Sequence, residues 1–190
     1  MLYLPNNALM KIRVMQNSIL ENNVLKLRAL EPSDLDILYK WENNTENWLI
    51  SSTVVPFSKA VLEQFIKNSH EDIYTSKQLR LIIVDKLRDM VVGAIDLFDF
   101  DPINKRAGVG ILIDSQERGK GFGYMALEQF KAYCFQFLQL HQLYANILTT
   151  NTASAALFAK CEFNNCGCKK EWILSPYGWL DELSFQCVKK

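Results

Sequence analysis

A short glycine-rich segment between two apolar stretches restricts the fold of this chain more than any other feature. It follows a strand-like apolar run over residues 109–113 and precedes a long stretch of helical period. Glycines carry no Cβ, so the backbone can pass close to an anion, and successive N–H groups can converge on it where a helix begins. The pattern predicts a strand, an anion-binding turn and a helix, in that order. The residues of the segment are Arg118, Gly119, Lys120, Gly121, Phe122 and Gly123.

Spacing separates this turn from two well-known nucleotide-binding loops. A P-loop requires Ser or Thr after its lysine, and neither follows Lys120. A dinucleotide-binding turn requires its third glycine one residue later and an acidic residue about 20 positions on, at a strand end. The next predicted strand ends at Leu148 and is followed by two threonines. The hexapeptide alone leaves two interpretations open, another kind of anion-binding loop and a tight turn with solubilising charges.

Two linked motifs carry a resemblance to a known family. Arg118, Gly121 and Gly123 form an Arg-x-x-Gly-x-Gly pattern that resembles the pyrophosphate loop of the GNAT N-acetyltransferases. The stretch from Asn151 to Phe163 resembles the family's next helix and its exit. The resemblance extends over about residues 25–188. Within the family it is closest to the branch of polyamine acetyltransferases and ribosomal-protein N-terminal acetyltransferases.

The hydrophobic pattern agrees with the fold that the resemblance implies. Strand-like patterns cover residues 25–30, 79–84, 90–100, 106–113 and 142–148, and a helix begins after Ser58. The implied fold is α+β, in an α/β/α arrangement. Its sheet is mixed, mostly antiparallel and twisted, with about six to seven strands flanked by helices. The sheet is expected to be split between its fourth and fifth strands, and Gly108 and Gly110 predict a bulge or a close approach in the fourth.

Composition limits the partners and the compartment. The chain has 190 residues and balances 21 basic against 21 acidic side chains, so no nucleic acid or membrane partner is expected. We expect an N-terminal tail over residues 1–22, for which disorder is one of the expected states, and one acetyltransferase domain over residues 23–190. Five cysteines without a secretory leader favour the reducing cytoplasm. No metal site is expected, because Cys166 and Cys168 lack further ligands.

The resemblance assigns the cofactor contacts. Residues 118–123 are expected to bind the diphosphate of acetyl-CoA. Asn151 is assigned to the pantetheine amide region, although it is also a natural helix cap, and Lys160 to the 3′-phosphate or to solvent. Glu162 stands where the family prefers glycine, so the exit from that helix is expected to differ. The pantetheine arm is expected to enter the split as an added strand, with a wall at Ile111, Leu112 and Ile113.

The usual proton-transfer residues of the family are missing. Phe158 replaces the tyrosine that serves as general acid, and Gly108 replaces a glutamate on the central strand. Strand alternation allows only one of Asp96 and Asp99 to face the cleft. Three explanations stay open: substitute residues, water acting on an already neutral amine, and an inactive acyl-CoA binder. The substitutes that we name for catalysis are Glu42, Asp96 and Tyr177.

The resemblance thus implies an acetyl-CoA-dependent N-acetyltransferase. Its acceptor would be a primary amine, either a polyamine such as spermidine or a protein N-terminal amine, and transfer would be direct within a ternary complex. Acetyl-CoA is the co-substrate. The resemblance leaves open whether the protein forms a homo-oligomer. Two alternatives remain: a non-catalytic acyl-CoA-binding or regulatory module of the same fold, and a nucleotide-dependent enzyme of another fold.

Overall fold

A seven-stranded sheet forms the centre of the computed structural model, which describes residues 19–51 and 53–190. The strand order is β1-β2-β3-β4-β5-β7-β6. β1 to β4 form an antiparallel meander, β5 runs parallel to β4, and β7 and β6 continue antiparallel. This confirms the predicted mixed, mostly antiparallel sheet. The strands are β1 (Leu25–Ala29), β2 (Leu79–Asp85), β3 (Met90–Asp101), β4 (Arg106–Ile113), β5 (Gln142–Leu148), β6 (Asn164–Ser175) and β7 (Gly178–Val188).

Helices cover both faces of this sheet. Leu38 and Trp41 of α1 pack with Leu62 and Ile66 of α3 on one face, which we call the α1/α3 face. α5 and α6 cover the opposite face, the α5/α6 face. Apolar strand residues alternate between the two cores, and this gives the predicted α/β/α layers. The helices are α1 (Leu35–Glu42), α2 (Thr45–Ser51), α3 (Lys59–Asn68), α4 (Ile73–Ser76), α5 (Phe122–Ala132) and α6 (Thr152–Lys160).

β4 and β5 separate soon after they meet. They pair at only three positions, the last of which joins Gly108 to Tyr144. β4 then continues to Ile113 along β3, and β5 continues to Leu148 along β7. The predicted split between the fourth and fifth strands is confirmed. We call the gap between residues 109–113 and 145–148 the fork.

The bulge that Gly108 and Gly110 predict on β4 lies on β3 instead. The β3–β4 register shifts between Phe98 and Asp101, and β4 itself is continuous. Gly108 is required for another reason, because a Cβ there would lie 2.2 Å from the Phe98 ring. The close approach at Gly108 therefore comes from within the chain.

The β3 bulge also overturns the predicted alternation of Asp96 and Asp99. Asp99 has a left-handed φ of +50°, and its carboxylate accepts a hydrogen bond from the Tyr144 hydroxyl at 3.0 Å. The Phe98 ring meets the Tyr144 ring edge-on, with 5.9 Å between centroids. Phe98 and Asp99 therefore contact the same tyrosine, because a bulge places neighbouring residues on one side of a sheet.

Part of the predicted N-terminal tail folds onto the sheet. The Leu27 N–H donates to the Leu20 carbonyl at 2.7 Å, and Glu21 forms a bridge with Lys26. Residues 1–18 of the predicted tail lie outside the described residues. Within the described ranges, no helix is long and apolar enough to span a membrane.

Candidate active site

The glycine-rich loop lies at the end of β4, where the chain turns into α5. Gly119 and Gly121 have left-handed φ angles of +78° and +86°, which residues with a Cβ rarely adopt. Gly121 is the N-cap of α5 and provides no side chain to bind the first N–H groups of the helix. These N–H groups form the positive end of the helix dipole, so the loop has a geometry that suits an anion.

Gly123 has a different role from the two glycines before it. A Cβ at this position would lie 3.2 Å from Leu157 Cδ2 and 3.6 Å from Ile113 Cγ1. α5 packs closely against α6 and β4 because Gly123 has no side chain. The third glycine of the motif therefore sets the position of the helix.

An ion-pair network holds the loop on the turn between β2 and β3. The buried Glu117 accepts hydrogen bonds from Arg88, at 3.1 and 2.6 Å, and from Lys120 at 3.1 Å. The bonds from Arg88, more than that from Lys120, hold the pKa of Glu117 below its usual value. Arg88 also binds Asp85, and its guanidinium lies 5.7 Å from the centroid of the Phe122 ring. The loop is thus anchored, and the Lys120 ammonium is drawn towards Glu117.

The predicted groove wall is the part of β4 that borders the fork. Ile111, Leu112 and Ile113 pair with β3 through residues 93–95, so one edge of β4 is occupied. On the other edge, pairing with β5 ends at Gly108. The main-chain groups of residues 109–113 on that edge face the fork, where an extended ligand could pair with them.

Two further predicted cofactor residues lie on or next to α6. Asn151 Oδ1 accepts a hydrogen bond from the Ser154 N–H at 3.1 Å, so this side chain caps the helix. Lys160 Nζ lies 4.5 Å from the centroid of the Tyr124 ring, in the first turn of α5. The fold therefore brings Lys160 close to the helix that follows the glycine-rich loop.

The exit from α6 keeps the usual turn, although Glu162 replaces a glycine. The Phe163 N–H donates to the Phe158 carbonyl, and the Glu162 N–H donates to the Ala159 carbonyl. These two bonds form a Schellman motif, which needs a left-handed residue after the helix. Glu162 supplies it at a φ of +66°. The expectation of a different exit was wrong, because the phenyl rings of Phe158 and Phe163 pack at 5.0 Å and hold the turn.

The predicted catalytic carboxylates Glu42 and Asp96 meet on one guanidinium. Arg80 donates to Asp96 through Nε at 2.6 Å and a terminal nitrogen at 3.0 Å, and to Glu42 through its other terminal nitrogen at 2.5 Å. Burial opposes the charge of Arg80, but Asp96 and Glu42 outweigh it and keep the pKa of Arg80 above its ordinary value. The guanidinium also lies 5.3 Å from the centroid of the Phe65 ring. Both carboxylates are thus partners of a permanent cation, which suits charge recognition better than proton abstraction.

A second polar cluster joins α1 to the glycine-rich loop. Asp114, which follows β4, accepts hydrogen bonds from Lys40 at 2.8 Å and from the Trp41 indole at 2.9 Å. Burial alone would raise the pKa of Asp114, but these bonds and one from the Gln116 N–H lower it to about 2. Lys40, Trp41 and Asp114 line a small pocket that also includes Arg118.

Tyr177 is not brought to the other predicted catalytic residues. It lies in the turn between β6 and β7, with 98% of its surface exposed. Its N–H donates to Ser175 Oγ at 3.2 Å, so its main chain completes the turn.

Residues 25–164 match the family model described as the acetyltransferase (GNAT) domain. This chain belongs to the GNAT acetyltransferase family. The match confirms the predicted resemblance, and together with the named relatives it identifies the protein as an acetyltransferase enzyme.

Similar proteins place this GNAT acetyltransferase near the polyamine branch. A spermidine N(1)-acetyltransferase of Vibrio cholerae is 27% identical over 142 residues, which cover 75% of this chain and 80% of the relative. Acetyltransferase PseH of Campylobacter jejuni is 22% identical over 135 residues, which cover 70% of this chain and 79% of that relative. A Vibrio cholerae spermidine N-acetyltransferase solved with CoA and spermine has the same fold, with a TM-score of 0.80 at 24% identity over 88% of this chain and 96% of that one.

Two residues of this GNAT acetyltransferase are unsuited to the catalytic roles that their positions suggest. Phe158 is 2% exposed and packs on Phe163, so the position of the family's acid carries a buried phenyl ring that cannot donate a proton. Burial raises the pKa of the Cys161 thiol to about 12, and a thiol in that state is a poor nucleophile.

Sequence reasoning missed Arg80 and the partners of Asp114. A sequence signal for Arg80 exists, because alternation along β2 places it on the same face of the sheet as Ile82 and Val84. In the β2–β3 register Arg80 lies directly opposite Asp96. That register depends on a bulge between Ile83 and Val84, which sequence periodicity does not reveal. Asp101, the next carboxylate along β3, accepts a hydrogen bond from the Asn104 side chain at 2.7 Å in the β3–β4 turn.

Proposed function

We propose that this GNAT acetyltransferase binds acetyl-CoA in the fork and transfers the acetyl group to a primary amine, a polyamine such as spermidine, within a ternary complex. The observation that carries this proposal is the early separation of β4 and β5. β4 stays paired with β3 as far as Ile113 but leaves β5 after Gly108, so one strand edge faces the fork, close to the glycine-rich loop.

The cofactor would lie along this edge, as in the family. The N–H groups of residues 119–123, with Arg118 beside them, would bind the diphosphate. The pantetheine arm would pair with the main chain of residues 111–113, and the N–H near Ile111 would polarise the thioester carbonyl. Asn151 would contact the pantetheine amide region, and Lys160 would reach the 3′-phosphate. A similar protein solved in complex with CoA supports this cofactor.

The transfer needs no covalent enzyme intermediate. The neutral amine nitrogen attacks the thioester carbon, a C–N bond forms, and the C–S bond breaks to release CoA thiolate. The amine loses its proton to water, and the thiolate takes up one proton, because Glu42 and Asp96 are engaged with Arg80 and Tyr177 lies exposed in the β6–β7 turn. Cys161 is not needed as an acyl carrier, in keeping with its raised pKa. Positioning of donor and amine in one cleft supplies most of the rate.

The relatives also support a proposal for the partner and the assembly. Glu42 and Asp96 favour a cationic acceptor, and relatives named spermidine N(1)-acetyltransferase support a polyamine. We further propose a single acetyltransferase domain over residues 23–190 that works in the cytoplasm as a homo-oligomer. A similar protein, 25% identical with a TM-score of 0.74, has a dodecameric structure. The balanced charge gives no reason to add nucleic acid or a membrane as a partner.

The test is release of CoA thiol from acetyl-CoA in the presence of spermidine, spermine or a peptide with a free N-terminus. We expect thiol release that depends on the amine and saturates in both substrates, with intersecting lines in bisubstrate plots. Saturable acetyl-CoA binding without turnover on any of these amines would instead support the non-catalytic acyl-CoA-binding alternative.

A further inference from the structure

Three charged groups beside the part of β4 that borders the fork leave one unit of negative charge uncompensated. Arg80 lies between Glu42 and Asp96, and all three of its guanidinium nitrogens are engaged with them. The side chains of Arg80, Glu42 and Asp96 are 22%, 19% and 29% exposed. Because water screens them only partly, their charges act strongly on a ligand beside them.

The Arg80 cation is built into the fold. β2 carries Arg80, β3 carries Asp96 directly opposite it, and Glu42 ends α1. The Phe65 ring of α3 packs against the guanidinium. Four elements therefore hold the guanidinium in one place, and an incoming ammonium group must bind next to it.

The position of Asp96 connects this trio to the fork. Asp96 pairs with Gly110, two residues beyond the last β4–β5 pair and one residue before Ile111. A Cβ at Gly110 would lie 3.9 Å from Asp96 Cβ and 3.8 Å from the Phe98 ring, both at ordinary contact distance, so Asp96 lies on the same face of the sheet directly beside this part of β4. The net charge of the trio therefore acts on an acceptor that approaches the thioester from the α1/α3 face.

We propose that Arg80 is a specificity-determining residue, a resident cation that limits the acceptor site to one ammonium group besides the reacting amine. The inference rests on the proposed function and deepens it. Arg80 neutralises one of the two carboxylates, so the first distal ammonium of an acceptor gains from the remaining charge. Each further ammonium finds no unpaired carboxylate in this trio and gains little.

Three acceptors that share an aminopropyl end test the proposal. They are 1,3-diaminopropane, spermidine and spermine, which differ in the number of distal ammonium groups. The readouts are kcat/KM by thiol release and Kd by calorimetry on the CoA-saturated protein. In the wild type we expect the three acceptors to agree within about threefold. In Arg80→Gln, with two free carboxylates, we expect the preference for spermine over 1,3-diaminopropane to rise at least about tenfold in both readouts.

Two matched variants separate charge from structure. Arg80→Lys keeps the cation and should keep the wild-type preference, even if the weaker contacts lower kcat. Arg28→Gln breaks a similar ion pair on β1, away from the fork, where Arg28 binds Asp34 at 2.6 and 2.8 Å. This variant should lower stability without changing the preference among the three acceptors. An Arg80→Gln protein that folds but keeps the wild-type preference would overturn the proposal, as would Arg80→Lys shifting the preference as far as Arg80→Gln.

Thiol release and Kd together keep this proposal separate from the proposed function.

If Arg80→Gln does not fold, the Glu42→Gln variant tests the proposal, because it brings the net charge of the trio to zero. Glu42→Gln should weaken binding of 1,3-diaminopropane at least about fivefold relative to propylamine, and an unchanged ratio would overturn the role of Arg80. A wild type that binds the amines with the expected Kd pattern but releases no thiol would refute the proposed function and leave the Arg80 assignment supported.

Discussion

At the scale of single residues, the three loop glycines belong to one motif but have different structural roles. Gly119 and Gly121 supply left-handed backbone, whereas Gly123 allows α5 to pack on Leu157. The sequence predicted all three as cofactor residues because the family motif contains them. It could not separate backbone conformation from packing, since the second depends on a neighbour about 34 positions away in the chain.

Gly121→Ala should weaken acetyl-CoA binding. The new Cβ is strained at a φ of +86°, so the turn that directs N–H groups towards the diphosphate must shift. We expect KM for acetyl-CoA to rise about tenfold and the free energy of unfolding to fall by about 1 kcal/mol. Gly178→Ala is the control, because Gly178 also has a positive φ, +116°, but lies in the β6–β7 turn. Equal changes of KM in the two variants would contradict the assignment.

Glu162→Gly should stabilise the protein. Glu162 closes the turn after α6 at a φ of +66°, a conformation that glycine adopts without a Cβ clash. Its ion pairs with Lys131 and Lys190 are long, at 3.8 and 3.9 Å, and contribute little. Thermal melts should show a Tm higher by about 2–4 °C, for a gain of about 1 kcal/mol. Glu162→Gln, which keeps the strain, should leave Tm nearly unchanged, and a matching rise there would refute the explanation.

At the scale of elements, helix α1 connects the two halves of the candidate site. Its last turn binds Asp114 through Lys40 and Trp41, next to the loop, and its last residue, Glu42, binds Arg80. The connection escaped prediction because Asp114 lies 73 positions from Trp41, and only the packed α1/α3 face brings them together.

Asp114→Asn should lower stability in a pH-dependent manner. The pKa of Asp114 in the folded protein is about 2, below its value of about 3.9 in an unfolded chain. The ionised carboxylate therefore stabilises the fold above pH of about 4, and this contribution is lost as pH falls towards 2. We expect the variant to lose up to about 2 kcal/mol at pH 7, and the difference from wild type to shrink below pH of about 4.

The control for this prediction lies on α1, the helix whose Lys40 and Trp41 bind Asp114. Asp36 pairs with Lys59 on the surface, where both side chains are well exposed, so Asp36→Asn should barely change the denaturation midpoint. Denaturant unfolding from pH 2 to pH 7 measures both variants. A stability difference for Asp114→Asn that does not vary over this range would contradict the lowered pKa.

At the scale of the whole molecule, the sequence predicted the order of strands and helices and the split in the sheet. Strand periodicity predicted strands because it depends on residues close together in the chain, and the family resemblance carried by two motifs implied the split. The Arg80–Asp96 pair and the contact of Asp99 with Tyr144 were not predictable in the same way. Both depend on bulges that shift the strand register, and a one-residue shift moves a side chain to the other face of the sheet.

A crystal structure of the protein with CoA and spermidine tests the central claim most directly. We predict the diphosphate on the N–H groups of residues 119–123 and the pantetheine arm between β4 and β5, hydrogen-bonded to the main chain of residues 111–113. A CoA molecule bound elsewhere, or a fork closed by β4–β5 pairing through residues 111–113, would contradict it.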